Sequence, residues 1–435
     1  MGKLRTIWRG RKLGLAAGLA LLACILVTLG LFAARTGPGT GRPNDSVASV
    51  SATASADTEP SRVNYARLHE RIARLMQTPD MVGLAVATVE RGQVRLIRGY
   101  GETRAQSGMR VTPDTVFRWA SLSKGVASAL VTGLAAERKL SLDAPLATMG
   151  TSLTLPGDAS QVTVADLLSH RLGIVRNAWD ERLEAGEDPK LLRAALGTLS
   201  PFCPPASCYG YQNIAFDAAS EIVERVTGQD YATAAKARLF TPLGMTNASI
   251  GRAGLEGARD RAVPHHRGKV PVAVNDNYYR VPAAGGVNSS IRDLAVWMRA
   301  QMGGAPAVLP AASLEEMHRP RVSTPPHGRR SAMDRALTNA AYGLGWRSFS
   351  YAGHTLVGHR GSVDGYGALL LFDPSDRSGI VMLWNSNAYK AARLQLEFFD
   401  MLYGLPPTDW LELDAPTEGL LKADGNISAR QAGPG

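Results

Sequence analysis

The spacing of apolar residues after residue 60 predicts a helix followed by a β-hairpin. Apolar residues at helical spacing mark one face of this helix: Val63, Leu68, Ile72, Leu75 and Met76. The stretches MVGLAVATV (81–89) and VRLIRGYG (94–101) have the composition of strands, and a turn at Glu90–Gln93 joins them. Because a tight hairpin joins neighbouring strands in opposite directions, the sheet is predicted to begin antiparallel.

The pattern changes to a mostly helical one between about 125 and 300, where Ser290 and Asp293 have capping-box spacing. Strand signals then return, before a last amphipathic helix near 388–402, in the stretches YGLGWRSFS, HTLVGHRG, YGALLLF and GIVMLWN. A parallel doubly wound sheet requires regular strand–helix alternation, which is absent. We therefore predict an α+β fold, with one antiparallel sheet built from both chain ends, flanked by helices, and a mostly helical inserted region.

The N-terminus carries an uncharged apolar run, 13–34, directly after five Lys and Arg residues. A helix of this length rises about 33 Å, enough to cross a hydrocarbon core of about 30 Å. The charge asymmetry predicts a cytoplasmic N-terminus at 1–12 and a transmembrane signal anchor at 13–34. A cleaved signal peptide is the alternative. Leu21–Cys24 also resembles a lipoprotein box, although the apolar run continues past it.

Composition divides the rest of the chain. Residues 35–61 are rich in Gly, Pro, Ser, Thr and Ala and predict a disordered linker. With 45% hydrophobic residues in 435, the chain can bury a substantial core, and we assign it to a folded domain at 62–405. A C-terminal tail follows at 406–435. The predicted location is the bacterial inner membrane, crossed once, with the folded domain in the periplasm or outside the cell.

The net charge of +10 raises the question of nucleic acid or anionic lipid as a partner. Part of that charge precedes the apolar run, and no block of Lys and Arg is interleaved with aromatic residues, so we predict no nucleic-acid partner. Cys203 and Cys208 in CPPASC could close a small disulfide loop in an oxidising compartment. One such pair is a poor zinc signature, and we predict no metal and no cofactor.

The stretch FRWASLSKG (117–125) places Ser121 near a helix start, with Lys124 three residues later on the same face. A helix N-terminus favours a developing alkoxide, and burial would lower the pKa of the lysine, so it could accept a proton. Ser123 is the rival nucleophile, but no lysine follows it at the same spacing. Taken alone, the stretch is more typical of an ordinary helix cap.

Two further stretches change that balance: Tyr211-Gln-Asn213 and His359-Arg-Gly361. With Ser121-Leu-Ser-Lys124, and in this chain order, they resemble the marks of the class C β-lactamase and penicillin-binding-protein family of serine hydrolases, which includes DD-peptidases and family VIII esterases. Supporting landmarks such as LSLDAPL, PLGMTNAS and YGLGW extend the resemblance over about 64–405.

The resemblance implies an acyl-enzyme mechanism. Ser121 would be the acylated nucleophile, Lys124 its activating partner and Tyr211 the general base. Asn213 would hold the substrate amide or the lysine. Whether the lysine or the tyrosine takes the proton stays open, since the two are expected to titrate as a coupled pair.

The same resemblance assigns the end of a late strand to substrate binding. The backbone N–H groups of Ser121 and Ser362 would form the oxyanion hole. Gly361, which lacks a Cβ, would let the acyl group approach. His359 replaces the lysine with which the family's β-lactamases face a substrate carboxylate. A largely neutral histidine there favours esterase or peptidase activity over strong β-lactam hydrolysis.

Two hypotheses about function follow. The first is a membrane-anchored serine hydrolase acting on a small-molecule or peptide substrate: a D-alanyl peptide, an ester or a β-lactam-like compound, with a cell-wall stem peptide as one candidate. The second is a non-catalytic penicillin-binding-like module that recognises cell-wall peptide or a partner protein. His265–His266 is predicted not to bind metal. Asn277–Arg280 is interpreted as a packed loop, with a substrate groove as the alternative.

Overall fold

The computed structural model describes residues 59–266, 269–325 and 332–414. Contacts divide the chain after Glu59, and the compact unit starts at Pro60. The predicted cytoplasmic N-terminus, the membrane anchor and most of the linker lie outside the described residues. Within the described ranges, no helix is long and apolar enough to span a membrane. The predictions about the N-terminal segments therefore stay predictions.

An antiparallel sheet of eight strands forms the centre of the domain. The strands within the described residues are β1 (Gly83–Glu90), β2 (Gln93–Gly101), β3 (Val116–Arg118), β4 (Ser249–Ile250), β5 (His265–His266), β6 (Val270–Pro271), β7 (Val287–Ser290), β8 (Val322–Ser323), β9 (Thr338–Tyr342), β10 (Arg347–Tyr351), β11 (His354–Val363), β12 (Tyr366–Asp373) and β13 (Ser378–Trp384). The large sheet has the order β2-β1-β13-β12-β11-β10-β9-β8, a small sheet has the order β3-β7-β4, and β5 pairs with β6.

The two ends of the domain meet within the large sheet, next to its β2 edge. β1 runs antiparallel to β13, with Leu84 opposite Trp384, and β2 pairs with the other edge of β1. The helical region lies between these strands in the chain. The predicted α+β class, with an antiparallel sheet built from both ends, is confirmed.

Helices cover the sheet and form the inserted region. They are α1 (Tyr65–Met76), α2 (Ser123–Ala136), α3 (Val164–Leu168), α4 (Asp180–Glu184), α5 (Pro189–Ala195), α6 (Asn213–Phe216), α7 (Ala218–Thr227), α8 (Tyr231–Ala235), α9 (Thr241–Leu243), α10 (Arg252–Glu256), α11 (Pro282–Gly285), α12 (Ile291–Arg299), α13 (Ala311–His318), α14 (Ala332–Ala336) and α15 (Leu394–Tyr403). Ser290 caps α12 by accepting from Asp293 N. The Asp293 carboxylate accepts from Asn247 N at 2.8 Å.

Both faces of strands β1, β12 and β13 are buried, which explains their nearly continuous apolar sequences. Along β1, Ala85 and Ala87 face one core together with the inserted helices, whereas Leu84 and Val86 face a second core with α1 and α15. This alternation is the two-residue period of a strand. The inserted helices pack against one face of this sheet, and side chains of β11 contribute to the same core.

Two expectations about boundaries need correction. YGLGWRSFS is not one strand: β9 ends at Tyr342, and a turn with Gly345 at φ +73° precedes β10. The packed domain also extends beyond the predicted end at 405, because Leu411 is fully buried and Trp410 Nε1 donates to Asp400 at 2.7 Å. The buried Arg71 of α1 holds this segment by pairing with Asp409.

Candidate active site

Ser121 lies where a strand passes into a buried helix. β3 continues through Trp119 into a 3-10 turn, Ala120–Leu122, which leads directly into α2. Ala120 has φ +48°, a left-handed conformation that costs a residue with a Cβ about 1–3 kcal/mol. Such strain persists only where the surroundings fix the backbone, and it is common at functional sites.

Two glycines allow other segments to approach this turn. A Cβ on Gly125 would lie 2.7 Å from the Trp346 ring, so the glycine of FRWASLSKG lets α2 pack closely there. A Cβ on Gly361 would lie 2.5 Å from Trp119 O and 2.9 Å from Ser121 N. β11 therefore passes directly against the backbone of the Ser121 turn, and only a glycine fits at that point.

The Tyr211 hydroxyl donates to Ser121 Oγ at 2.8 Å. Tyr211 lies just before α6, 90 residues further along the chain, so the fold brings the two hydroxyls together. Burial raises the pKa of Tyr211 to about 12, partly offset by the hydrogen bond to Ser121. The phenol oxygen is the side-chain atom placed to exchange a proton with Ser121.

Lys124 is fully buried beside this pair. Its Nζ donates to Asn213 Oδ1 at 2.8 Å and to Ala284 O at 3.1 Å, and it lies 4.7 Å from the centre of the Tyr211 ring. Burial lowers the pKa of Lys124 to about 7. Among the described contacts, the hydrogen-bond partner of Ser121 Oγ is Tyr211 rather than Lys124, so the lysine reaches the serine only through neighbouring groups.

Asn213 links the lysine to a carboxylate. Its Oδ1 accepts from Lys124, and its Nδ2 donates to Asp180 Oδ2 at 2.9 Å. These two partners determine which way the amide points, since the ammonium can only donate and the carboxylate accepts. Burial raises the pKa of Asp180, and the bond from Asn213 opposes that shift.

Two histidines form the wall behind Tyr211. His170 is fully buried, its ring lies 4.4 Å from the Tyr211 ring, and its Nδ1 accepts from Gln212 N at 3.2 Å. Burial holds the pKa of His170 well below its usual range, so it is a neutral acceptor. His359 lies beside Tyr342, whose hydroxyl is 3.0 Å from Nε2. The contact of Nδ1 with the Arg360 carbonyl, at 2.7 Å, makes Nδ1 the protonated nitrogen.

A cleft of about 290 Å³ opens over Ser121. The described residues that line it are Ala120, Ser121, Glu184, Asn213, His266, Tyr278, Ala284, Gly285, Ser362, Val363, Asp364, Gly365, Asn387 and Tyr389. Three of the predicted site residues, Ser121, Asn213 and Ser362, therefore border one space. His359 does not line the cleft, because Tyr342 lies against its ring. Gly361 does not line it either, because the Ser121 turn lies against this glycine.

A disulfide joins Cys203 and Cys208 immediately before the tyrosine segment. This loop is also held by its backbone, because Phe202 N donates to Gly173 O at 2.8 Å and Gly210 N donates to His170 O at 2.9 Å. The disulfide loop thus stabilises the position from which Tyr211 reaches Ser121.

A sequence model of the family described as Beta-lactamase matches residues 68–401, a span that includes every one of these side chains. The chain belongs to the β-lactamase family. The predicted family, one of serine hydrolases, is confirmed.

Curated relatives of this family member cover most of it. An unguisins hydrolase of Aspergillus campestris is 28% identical over 352 residues, which is 75% of this chain and 64% of the relative. The protein flp of Staphylococcus aureus strain COL is 25% identical and covers 73% of this chain and 62% of its own length. The chain thus spans slightly less than two thirds of the length of these relatives.

Solved structures share the fold of this β-lactamase-family chain. The octameric penicillin-binding protein homologue of Pyrococcus abyssi has a TM-score of 0.70 at 23% identity and covers 80% of this chain and 79% of its own. The D-alanine carboxypeptidase AmpC of Burkholderia cenocepacia has a TM-score of 0.62 at 23% identity, over 78% and 99%. These likenesses concern the fold.

Several residues of the cleft carry no sequence motif and were not predicted. Glu184, Asp364 and Tyr389 are ordinary surface residues in the sequence, and only the fold brings them to Ser121. Both interpretations of the loop Asn277–Arg280 apply to part of it: Tyr279 is packed and buried, whereas Tyr278 lines the cleft. Within the described ranges, no group of His, Cys, Asp and Glu is arranged to hold a metal ion.

Proposed function

We propose that this β-lactamase-family chain is a serine hydrolase that forms an acyl-enzyme on Ser121 and hydrolyses an ester or an amide. The observation that carries the proposal is the 2.8 Å hydrogen bond between Tyr211 Oη and Ser121 Oγ. The buried Lys124, with its pKa lowered to about 7, lies against the same tyrosine ring. A non-catalytic module has no need of this arrangement, which costs desolvation of a lysine.

The proton of Ser121 passes to Tyr211 in either form of the Lys–Tyr pair. If Lys124 is an ammonium and Tyr211 a phenolate, the phenolate accepts the proton directly. If the amine and the phenol are both neutral, Tyr211 accepts the serine proton as its own proton moves towards the lysine. Ser121 Oγ then attacks the acyl carbon, and the pair returns the proton to the leaving group.

Deacylation uses the same groups in reverse order. A water molecule gives a proton to the tyrosine oxygen and attacks the acyl carbon, and Ser121 recovers its proton as the acid leaves. The backbone N–H groups of Ser121 and Ser362 stabilise the oxyanion in both steps, a role supported by the close passage of β11 over the turn. Asn213 borders the cleft and positions the lysine.

The substrate class within this proposal is a D-alanyl peptide, an ester or a β-lactam-like compound. An ester or peptide is favoured, because His359 is hydrogen-bonded to Tyr342 behind the cleft. The relatives named as an unguisins hydrolase and a D-alanine carboxypeptidase are consistent with hydrolysis of acyl bonds. A cell-wall stem peptide remains the candidate peptide.

The proposal places the domain outside the bacterial inner membrane, tethered by 13–34 and the linker. Two features support this placement: the apolar run after a basic N-terminus, and the Cys203–Cys208 disulfide, which suits an oxidising compartment. Protease treatment of intact spheroplasts tests it. The domain should be digested without lysis, whereas a domain on the cytoplasmic side would be protected.

Labelling with a fluorescent fluorophosphonate tests the chemistry. The full chain, purified in detergent, should be labelled, and the label should be lost in Ser121→Ala. Ser123→Ala is the matched control, because Ser123 Oγ accepts from Val287 N at 3.0 Å and so has a structural role. Mass spectrometry should locate the adduct on Ser121, and circular dichroism should show that each variant is folded.

The outcomes separate the hypotheses. Label that survives in Ser121→Ala contradicts the proposed nucleophile. No labelling of a folded wild-type chain favours the non-catalytic module. A screen of p-nitrophenyl esters, nitrocefin and D-alanyl-D-alanine peptides then ranks the substrate classes, with esters or peptides expected to exceed nitrocefin.

A further inference from the structure

Two carboxylates face the cleft that contains the proposed nucleophile. Glu184 reaches it from the end of α4, and Asp364 reaches it from the turn between β11 and β12. Glu184 accepts a hydrogen bond from the Tyr278 hydroxyl at 2.6 Å. Asp364 has φ +42°, so its turn is held in a left-handed conformation beside the cleft. These acidic groups therefore belong to the walls of a space that already holds Ser121.

A third carboxylate adds to the same negative region. Asp180 lies behind Asn213, and one of its oxygens is buried and lacks a hydrogen-bond partner among the described residues. The pKa of the Tyr278 hydroxyl is raised by burial first and then by Glu184, Asp180 and Asp364. All three carboxylates are therefore close enough to one ring to act on it.

Aromatic rings complete the wall. Tyr278 and Tyr389 both line the cleft, and Tyr389 is 71% exposed. An aromatic face attracts a cation, and carboxylates beside it strengthen that attraction. The same surroundings would repel a substrate carboxylate, because like charges in a partly buried site cost free energy.

The nearby arginines are already bound within the protein, and one of them, Arg118, contacts Asp364 itself. Among the described residues that line the cleft there is no Lys or Arg, and His266 is the one histidine. Arg118 is fully buried, stacks at 3.8 Å on the Tyr279 ring and is 3.5 Å from Asp364, which it offsets in part. Arg280 donates to the carbonyls of Gly186 and Glu187 at the end of the α4 segment.

We propose that the substrate carries an ammonium group beside its scissile carbonyl, held by Glu184 and Asp364 and covered by Tyr278 and Tyr389. The cleft of about 290 Å³ is small, so the cation and the reacting carbonyl must be only a few bonds apart. The substrate class is an α-amino ester or amide with a free amino group. This inference rests on the proposed hydrolase function and narrows its substrate.

Three methyl esters of similar shape test the inference on the full chain in detergent. They are alanine methyl ester of both hands (cationic), methyl isobutyrate (neutral) and monomethyl methylmalonate (anionic). Acid release is followed by titration below about pH 7, where an α-amino group is protonated. We expect kcat/KM to be about tenfold higher for the cationic ester than for the neutral one and lowest for the anionic ester.

Variants assign that preference to the carboxylates. Glu184→Gln and Asp364→Asn should each lower the ratio of cationic to neutral kcat/KM at least threefold. Glu181→Gln is the matched control, because Glu181 is exposed on the same helix and does not line the cleft. It should leave the ratio unchanged. A ratio that is equally high in Glu184→Gln and Asp364→Asn would overturn the assignment.

A binding measurement separates this inference from the hydrolase proposal. Calorimetry with Ser121→Ala compares alaninamide with isobutyramide, so no chemistry is needed. Tighter binding of alaninamide, even without any ester hydrolysis, supports the cation site while the proposed function fails. Hydrolysis of all three esters at equal kcat/KM, or equal binding of the two amides, overturns the cation site while leaving the hydrolase proposal intact.

Discussion

The site has a buried half and an open wall, and the two differ in almost every physical respect. In the buried half, Lys124 and His170 are fully excluded from solvent, and the hydrogen bonds of Tyr211 and Asn213 are made to other protein groups. The open wall carries Glu184, which is exposed, and Tyr389, which is 71% exposed. Its charges face a cleft rather than each other.

The difference indicates that the two regions have separate roles in the proposed reaction. Burial shifts the pKa of Lys124 down and that of Tyr211 up, and the proposed mechanism therefore assigns proton transfer to the half that excludes water. The open wall contributes charge and shape where a substrate can still enter. Changes in the buried half should therefore alter kcat or folding, whereas changes in the open wall should alter substrate preference.

The largest effect is expected from Tyr211→Phe. This change keeps the ring against His170 but removes the oxygen that contacts Ser121, so kcat should fall about 10³-fold, within the range for loss of a general base. Tyr209→Phe is the control, because it removes a hydroxyl that accepts from Arg347 at 2.9 Å without contacting Ser121. Equal losses of kcat in the two variants would contradict the role of Tyr211.

The pH dependence should be the next largest effect. The Lys–Tyr pair must lose one proton before it can accept the proton of Ser121, and the pKa of Lys124 is lowered to about 7. The active form therefore exists above that pH, and kcat/KM for a neutral ester should fall about tenfold per pH unit below it. An inflection near the ordinary lysine pKa would show that Lys124 is not desolvated during the reaction.

The buried half was largely predictable from sequence, because its residues lie in ordered motifs. The spacing of Ser121 and Lys124 indicated one local cluster, although the structure places Ser121 in a 3-10 turn before α2 and Lys124 inside that helix. Tyr211 and Asn213 came from resemblance, since contacts across about 90 residues cannot be deduced from local patterns. The fold class followed from the order of strand and helix signals, as the pairing of β1 with β13 confirms.

The open wall and some details could not be predicted. Glu184 and Asp364 belong to no periodic pattern, and their convergence depends on how α4 and the β11–β12 turn are placed. For His359, strand position could not indicate that Tyr342 would occupy the space beside the ring. The strand-like stretch YGLGWRSFS concealed a turn, because Gly345 can adopt a positive φ within a strand-like composition.

A smaller effect on activity, with a clear effect on stability, is expected at the base of the buried half. Asp217 pairs with the buried Arg193 at 2.8 Å and accepts from Ala283 N, next to the carbonyl that binds Lys124. Asp217→Asn leaves Arg193 less well paired and should lower the free energy of unfolding by about 3 kcal/mol. Displacement of the lysine partner should reduce kcat severalfold.

Urea denaturation of the full chain in detergent measures this effect. The matched control is Glu221→Gln, which removes the more exposed of the two carboxylates bound to Arg193 and should cost less. If the two variants lose equal stability, the buried Asp217–Arg193 pair contributes no more to the free energy of unfolding than the more exposed Glu221–Arg193 pair. If Asp217→Asn loses stability with kcat unchanged, the segment that holds Lys124 is positioned independently of Asp217.

The smallest effect is expected at the rim of the open wall. Tyr389→Ala removes an exposed ring that can cover a cation, an interaction of about 0.5–1 kcal/mol, so KM for alanine methyl ester should rise about two- to fivefold. Phe202→Ala is the control, because Phe202 is also exposed, at 62%, and does not line the cleft. KM for methyl isobutyrate should change less, and the free energy of unfolding should stay the same in both variants. A loss of stability in Tyr389→Ala would show that this ring packs in the core rather than in the substrate wall. Tyr389 would then not belong to the open wall, which contradicts the assignment made for its most exposed residue.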